Sequence, residues 1–258
     1  MAQAPLAFTR PSQPPILLGE ARTTAMTRAG RNTASAHGDA SPDPPLADPP
    51  LNVRVYEELR RRMITGKIVP GVGLSTRGLA LELGVSQMPV REAMSRMAAD
   101  GAVEIRSKRR IVTTAMTASR FDDLLACRLL LEPEAAVHAL PHVNTAFLKR
   151  LRAIDRALDA AIESGDVIGY MENNFAFHFA IYAANRRPIL NRLIETLWLQ
   201  FGPFMRVVYG RYGTAELIDQ HRVAIDALAA GDAAALRQAI ASDIADGMGL
   251  IGRDGLGG

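Results

Sequence analysis

The chain has 258 residues, a formal net charge of +3 and 48% hydrophobic residues, enough material for two cores. Its single cysteine, Cys127, excludes a disulfide framework and a cysteine-based zinc cluster, and an aromatic content of only 5% argues against an aromatic-rich β-sandwich. No apolar run approaches the ~20 residues of a membrane span, and Pro5, Pro11, Pro14 and Pro15 interrupt any leader-like apolar segment, so a reducing, cytoplasmic setting is expected.

The charge is unevenly spread. Residues 1–50 balance four arginines against four acids, residues 51–118 carry twelve basic side chains against six acidic, and residues 119–258 carry fourteen against seventeen. A basic head on a mildly acidic body points to a polyanion partner for the head.

Residues 1–50 hold nine of the fifteen prolines, and runs such as Ser41-Pro42-Asp43-Pro44-Pro45 neither form a helix nor have much to bury, so a disordered tail is expected there. A helical pattern starts at Leu51, with Val53, Tyr56, Leu59 and Met63 on one face, Arg60, Arg61 and Arg62 mostly outward, and Gly66, Pro70 and Gly71 as the stop. Ser75-Thr76 signals a second, short helix with Leu79, Ala80 and Leu83 inward, closed by a tight turn at Gly84-Val85. Ser86 reads as the N-cap of a third helix that buries Val90, Ala93, Met94 and Met97 and tolerates Pro89 in its first turn. Two strand-like pieces follow, Ala102–Arg106 and Arg110–Thr114, around the basic turn Ser107-Lys108-Arg109. Helix, helix, turn, helix, hairpin is the order of a winged helix-turn-helix.

Beyond Thr117 the pattern is helical throughout. Ser119-x-x-Asp122 reads as a capping box opening Phe121–Leu140, with a kink expected at Pro133. Further helices are expected over Thr145–Ser164, Asp166–Ala184, Pro188 to about Tyr209, Thr214–Ala230, and from Asp232 to Gly247. Six helices with short connections make an antiparallel bundle the default. The fold class is therefore mainly α: residues 1–50 a tail, 51–117 a winged helix-turn-helix, 118–248 a helical bundle and 249–258 a flexible end.

A helix-turn-helix inserts the N-terminal end of its second helix into the major groove. Here that end is Ser86-Gln87-Met88-Pro89-Val90-Arg91. Ser86 can donate to a phosphate, Gln87 can read adenine, and Arg91, one turn later, can read guanine. Arg77 begins the preceding helix, where a cation meets backbone phosphate, and the wing residues Lys108 and Arg109 can reach phosphates or the minor groove. In the bundle, Asn174 and His178 are four residues apart and share a helix face, whereas His221 can approach them only through the fold. Arg128 sits among Leu124, Leu125, Leu129 and Leu131, where it either snorkels outward or serves a buried anion. Arg206 and Tyr209 are weaker pocket candidates, His138 and His142 read as surface residues, and Phe175, Phe177, Phe179 and Trp198 read as core.

The run Tyr56-x-x-Leu59 … Ile64-x-Gly66-x-Ile68-x-Pro70-Gly71-x-x-Leu74 … Leu79-Ala80-x-x-Leu83-Gly84-Val85-Ser86-x-x-Pro89-Val90-Arg91-Glu92-Ala93 resembles the GntR superfamily of bacterial transcription regulators. Arg128-x-x-x-Glu132-Pro133, Phe177-His178 and Gln220-His221-x-x-x-Ile225-x-Ala227-Leu228-x-x-Gly231-Asp232 resemble the FCD effector domain of its FadR-type branch. The resemblance implies DNA contacts at Arg77, Ser86, Gln87 and Arg91, assisted by Lys108 and Arg109. Gln87 replaces an arginine common in the family, and the wing tip lacks the usual glycine. In the bundle it implies a divalent metal held by Asn174, His178, His221 and, where relatives carry a histidine, Asp243; such nitrogen ligands suit zinc or nickel better than magnesium, and a metal-free pocket in which the histidines and Arg128 bind an organic anion directly is the alternative. An organic-acid effector would lie against Arg128, Asn174, His178 and His221.

The resulting expectation is a homodimeric regulator, a repressor without catalytic activity, whose grip on an inverted-repeat operator in double-stranded DNA responds to an organic acid. Two alternatives stay open at this point. One is an architectural DNA-binding protein that responds to no metabolite. The other is a metal-dependent enzyme fused to a DNA-binding head, although no HExxH, nucleophile elbow, P-loop or paired-carboxylate signature is present.

Overall fold

In the computed structural model, residues 48–107, 110–212 and 219–249 are described, with backbone alone over 206–212. The expected N-terminal tail, apart from its last three residues, and the C-terminal end from residue 250 lie outside the described residues, as do Lys108 and Arg109 at the wing tip.

The head begins with α1 (Leu51–Ile64), which buries Val55, Tyr56, Leu59, Met63 and Ile64. Val53, expected on that face, is instead exposed. Helix α2 (Thr76–Leu83) starts at Ser75, whose hydroxyl accepts from the Gly78 N–H at 2.9 Å. It ends at Gly84 in the left-handed region (φ 65°), and the Val85 N–H bonds back to the Ala80 carbonyl at 2.9 Å. That geometry is cheap only for glycine and turns the chain directly into α3 (Gln87–Ala99). Strands β1 (Val103–Ser107) and β2 (Arg110–Thr113) pair antiparallel, Val103 opposite Thr113, with a register shift between Ile105 and Ser107. Leu74 adds a bridge to Ile111 through two backbone bonds, so the wing is stitched to the start of α2.

Six helices follow among the described residues: α4 (Ala118–Val137), α5 (Thr145–Ser164), α6 (Val167–Ala184), α7 (Pro188–Tyr212), α8 (Gln220–Ala230) and α9 (Ala233–Gly249). Most begin on a side-chain cap: Thr117, Asn144, Asp166 and Asp219 each accept from the N–H three residues on, and Asp232 accepts from Ala234 and Ala235. The expected capping box at Ser119 is displaced, because Thr117 is the residue in extended conformation and takes the Arg120 N–H at 3.2 Å. Helix α4 runs on through Pro133 and stops at Val137, followed by a short 3-10 turn at Leu140–His142. The expected helix start at Thr214 lies outside the described residues; α8 runs from Gln220 behind the Asp219 cap.

The described residues from Pro50 onward form one compact unit, and the buried apolar residues of head and bundle belong to a single cluster. The backbones press together at Gly202 on α7, where a Cβ would lie 2.6 Å from the Ile64 Cα. Ion pairs reinforce this seam: Arg60–Glu195 at 3.2 Å, Arg61–Glu172 at 2.6 Å and Lys67–Glu172 at 3.0 Å. The arginines of α1 thus differ from their expected outward placement, because bundle acids draw in Arg60 and Arg61 while Glu58 and Glu82 of the head hold Arg62.

Candidate metal and DNA sites

Four of the residues expected to contact DNA are described, and all four are exposed on the head. Arg77 lies in the first turn of α2 and is exposed, and Ser86, Gln87 and Arg91 are exposed along the N-terminal half of α3. Arg91 donates to the Gln87 side-chain oxygen at 3.3 Å, so the two expected base readers share one face. The Ser86 hydroxyl makes no capping bond. Between them Met88 is 70% exposed, a large apolar side chain in a helix turn that otherwise presents polar groups. Sequence reasoning passed over Met88; its place next to Gln87 in the first turn of α3 was the available signal.

In the bundle, four of the expected residues come from three helices. Asn174 and His178 lie on the inward row of α6, His221 in the first turn of α8, and Asp243 on α9. The ligating atoms of His178, His221 and Asp243 lie within 4.8 Å of one another. His178 Nε2 is 3.0 Å from Asp243 Oδ2, and His221 Nε2 is 3.6 Å from Asp243 Oδ1. The rings cross at 78° with centroids 5.2 Å apart, and Phe177 stacks on His221 at 3.9 Å. Asn174 is buried one turn before His178.

The groups behind the imidazoles fix their tautomers. The Tyr182 hydroxyl donates to Glu132 Oε2 at 2.8 Å, and its pKa is pushed well up by burial and by Glu132, so it keeps its proton. It can therefore only accept from His178 Nδ1, at 3.1 Å. On His221, Nδ1 faces Asp155 Oδ1 at 3.4 Å. Each neutral ring then turns the lone pair of Nε2 toward the Asp243 carboxylate. Burial raises the Asp243 carboxyl, but His178, His221 and Arg128 more than reverse this and hold it at about 2, so it is ionised. Lone pairs facing an anion demand a positive charge between them: a proton on the rings or a metal cation. The His221 pKa responds in the former sense: burial lowers it, but Asp155 and Asp243 raise it overall. The converging set of two imidazoles and a carboxylate, with Asn174 one turn away on α6, fits a divalent transition metal, with Tyr182 and Asp155 as the outer groups that orient the imidazoles.

Arg128 does not snorkel. It is buried on α4 and donates from Nε to Glu132 Oε1 at 2.6 Å and from Nη2 to Oε2 at 3.4 Å. Burial lowers its pKa, and the Glu132 carboxylate more than compensates. Its guanidinium also lies over the rings of Trp198 (4.8 Å) and Phe201 (5.1 Å). Glu132 is the hub: fully buried, it accepts from Arg128, Tyr182 and, at 3.0 Å, the Trp198 indole N–H. The buried anion beside Arg128 is thus supplied by the chain itself. The Arg128-x-x-x-Glu132 spacing made this pair legible; the approach of Asp155 and Trp198 from other helices was not. Arg206 and Tyr209 have side chains outside the described residues. His138 and His142 stand apart from the cluster and are partly buried near the end of α4, and Trp198 and Phe177 are core, as expected.

Comparison with known proteins agrees with this architecture. Residues 51–112 match the bacterial regulatory proteins of the gntR family, and residues 123–246 match the FCD domain. The HTH-type transcriptional regulator McbR of Escherichia coli K12 is 30% identical over 194 residues, covering 74% of this chain and 88% of that protein. The gluconate operon transcriptional repressor of Bacillus subtilis is 25% identical over 211 residues, covering 78% and 85%. Among solved structures, E. coli McbR/YncC superimposes with a TM-score of 0.75 at 28% identity, covering 80% of this chain and 98% of that one. A transcriptional regulator GntR from Rhodococcus sp. RHA1 gives 0.63 at 25% identity, covering 78% and 96%. The chain belongs to the GntR family of DNA-binding transcription regulators, in the FadR-type branch that carries a C-terminal FCD domain.

Proposed function

We propose that the protein is a cytoplasmic, homodimeric repressor that releases or tightens its hold on an inverted-repeat operator when an organic acid enters the FCD domain, and that it is not an enzyme. The supporting observation is the convergence of His178, His221 and Asp243 with both imidazoles pinned from behind, by Tyr182 and by Asp155. Such pinning presents nitrogen lone pairs to one point, which suits Zn²⁺ or Ni²⁺ better than Mg²⁺. Asn174, His178, His221 and Asp243 would hold the ion, and the ion would supply a positive centre for a carboxylate. Arg128, its charge shared with Glu132, contributes a second, weaker hold.

On the head, Gln87 and Arg91 are the base readers, Ser86 and Arg77 meet phosphates, and Lys108 and Arg109 extend the contact from the wing. A two-fold dimer matches an inverted repeat because each copy brings one such helix to one half-site. Reading the two modules as 51–117 and 118–248, the effector acts by favouring one arrangement of the bundle over another, which requires unequal binding to the two.

The test has two arms. Duplexes selected from a random library by the full-length protein should contain an inverted repeat, and Arg91→Ala should weaken binding to it by about 1–3 kcal/mol. Calorimetry with zinc alone, and then with a set of carboxylic acids in its presence, should give saturable binding that His178→Ala and His221→Ala remove while the operator is still bound. Operator affinity untouched by Arg91→Ala, or acid and metal responses untouched by both histidine variants, would refute the corresponding half of the proposal.

A further inference from the structure

The C-terminal end of α3 is held by side chains from the two helices that carry the buried Arg128–Glu132–Trp198 cluster. Helix α3 ends at Asp100, and Gly101 follows with φ 73°. The last carbonyls of a helix have no partner within it. Here the Asp100 carbonyl accepts from the Gln200 amide at 2.9 Å, and the Gly101 carbonyl accepts from Arg120 Nη2 at 2.6 Å. Arg120 and Gln200 are tied to each other at 2.5 Å. The clasp therefore joins α3, α4 and α7 at one point.

The placement of Arg120 is informative. It lies in the first turn of α4, where the helix dipole disfavours a cation. At the end of α3 the same cation is favoured, since it meets the negative end of that helix. Arg120 is thus suited to α3 and not to its own helix. Two and three turns further along α4 come Arg128 and Glu132. On α7, Gln200 stands between Trp198, which donates to Glu132, and Phe201, which lies under the Arg128 guanidinium, with Gly202 pressed on the end of α1. Trp198 and Phe201 thus touch the Glu132 cluster on either side of Gln200, so a shift of α7 at the cluster carries Gln200 with it.

We propose that Arg120 and Gln200 are positioning residues for DNA recognition: they hold α3 in register with the Glu132–Trp198 cluster, so that operator binding and the state of the buried cluster are coupled through this clasp. The inference rests on α3 being the helix that reads DNA. Coupling is reciprocal, so DNA bound at α3 must perturb the cluster as much as the cluster perturbs DNA binding. Trp198 is the sole tryptophan of the chain and reports on that cluster without knowledge of the effector.

The experiment is tryptophan emission of the full-length protein, free and saturated with a duplex selected by that protein. The wild type should change emission intensity or wavelength on binding. Gln200→Ala should bind the duplex about 3- to 10-fold more weakly, the order expected for one or two hydrogen bonds, and at saturation should show no emission change. Gln200 is the deciding position because it is half-buried and its replacement leaves Glu132 and all its partners in place. Arg120→Ala should behave alike, and Lys67→Ala, which loosens the seam at Glu172 away from α3, should keep the response. An undiminished response in Gln200→Ala, or a silent wild type that still binds the duplex, overturns the proposal. Failure of the reading beneath it has its own signature: Arg91→Ala binding the duplex as tightly as wild type.

Discussion

Replacing Glu132 by glutamine isolates the contribution of the buried hub. Glu132 accepts from Arg128 Nε on one oxygen and from Arg128 Nη2, Tyr182 and Trp198 on the other. Glutamine keeps one acceptor oxygen and gains two N–H donors. With its oxygen toward Tyr182 and Trp198, its NH₂ faces the Arg128 Nε–H; turned round, it faces the Trp198 N–H. Neither orientation avoids donor against donor, and in both the Arg128 guanidinium, 4% exposed at its side chain, loses its counter-charge. Removing one partner of a buried pair costs about 3–5 kcal/mol, against a total stability of about 5–15 kcal/mol. At about 2–4 °C per kcal/mol for a unit of this size, the melting temperature should fall by about 6–20 °C. Circular dichroism melting of wild type, Glu132→Gln and the double variant Arg128→Met/Glu132→Gln measures this, and the double variant should recover part of the loss because the unpaired cation is gone. A loss below about 1 kcal/mol in Glu132→Gln would refute the reasoning, since it would mean the guanidinium finds water or another anion.

Tyr182→Phe removes the acceptor that orients His178 and should weaken zinc binding about 10- to 100-fold with the helical content intact, as measured by calorimetry and circular dichroism. Gly202→Ala places a methyl group 2.6 Å from the Ile64 Cα and should destabilise the folded chain by about 1–3 kcal/mol or more in urea titration; a neutral result would show that α7 can withdraw from α1 freely. Burial raises the Glu58 carboxyl, but Arg62 and Arg61 more than reverse this and set it below its usual value. Its contribution is therefore present above about pH 4.5 and is lost as pH falls through the lowered folded value. Between pH 5.5 and pH 3.5, Glu58→Gln should lose less stability than wild type, by under about 1 kcal/mol because the pair is partly exposed.

Much of the molecule follows from local sequence. The helix ends are written in side chains that act within a turn of themselves: Ser75, Asn144, Asp166 and Asp232 as caps, and glycines at positions 84, 165 and 231 in the left-handed conformation. The inward rows follow from spacing, which is why Asn174 and His178 could be placed together, and why Tyr182 at the next turn could have been. The head was legible because turn chemistry and helix period agree over most of it, Val53 on α1 being an exception. Where two local signals competed, as at Thr117 and Ser119, sequence alone selected the wrong cap, since the choice depends on which residue the loop after β2 leaves extended.

The sites themselves were decided at longer range. That His221 and Asp243 meet His178 was suggested by resemblance, and that Asp155 stands behind His221 was not suggested at all, because a carboxylate on α5 carries no mark of which helix it will face. The fate of Arg128 was open between solvent and a buried anion, and its Glu132 partner lay one turn away in plain view. What closed the question was the arrival of Tyr182 from α6 and Trp198 from α7, whose donors make a buried carboxylate tolerable. The seam between head and bundle was decided the same way: α1 arginines read as outward until Glu172 and Glu195 are brought up by the fold. Periodicity and caps act over a few residues and survive in the sequence, whereas the desolvation and pairing that create a site depend on atoms a hundred residues apart, and only the packed chain brings those together.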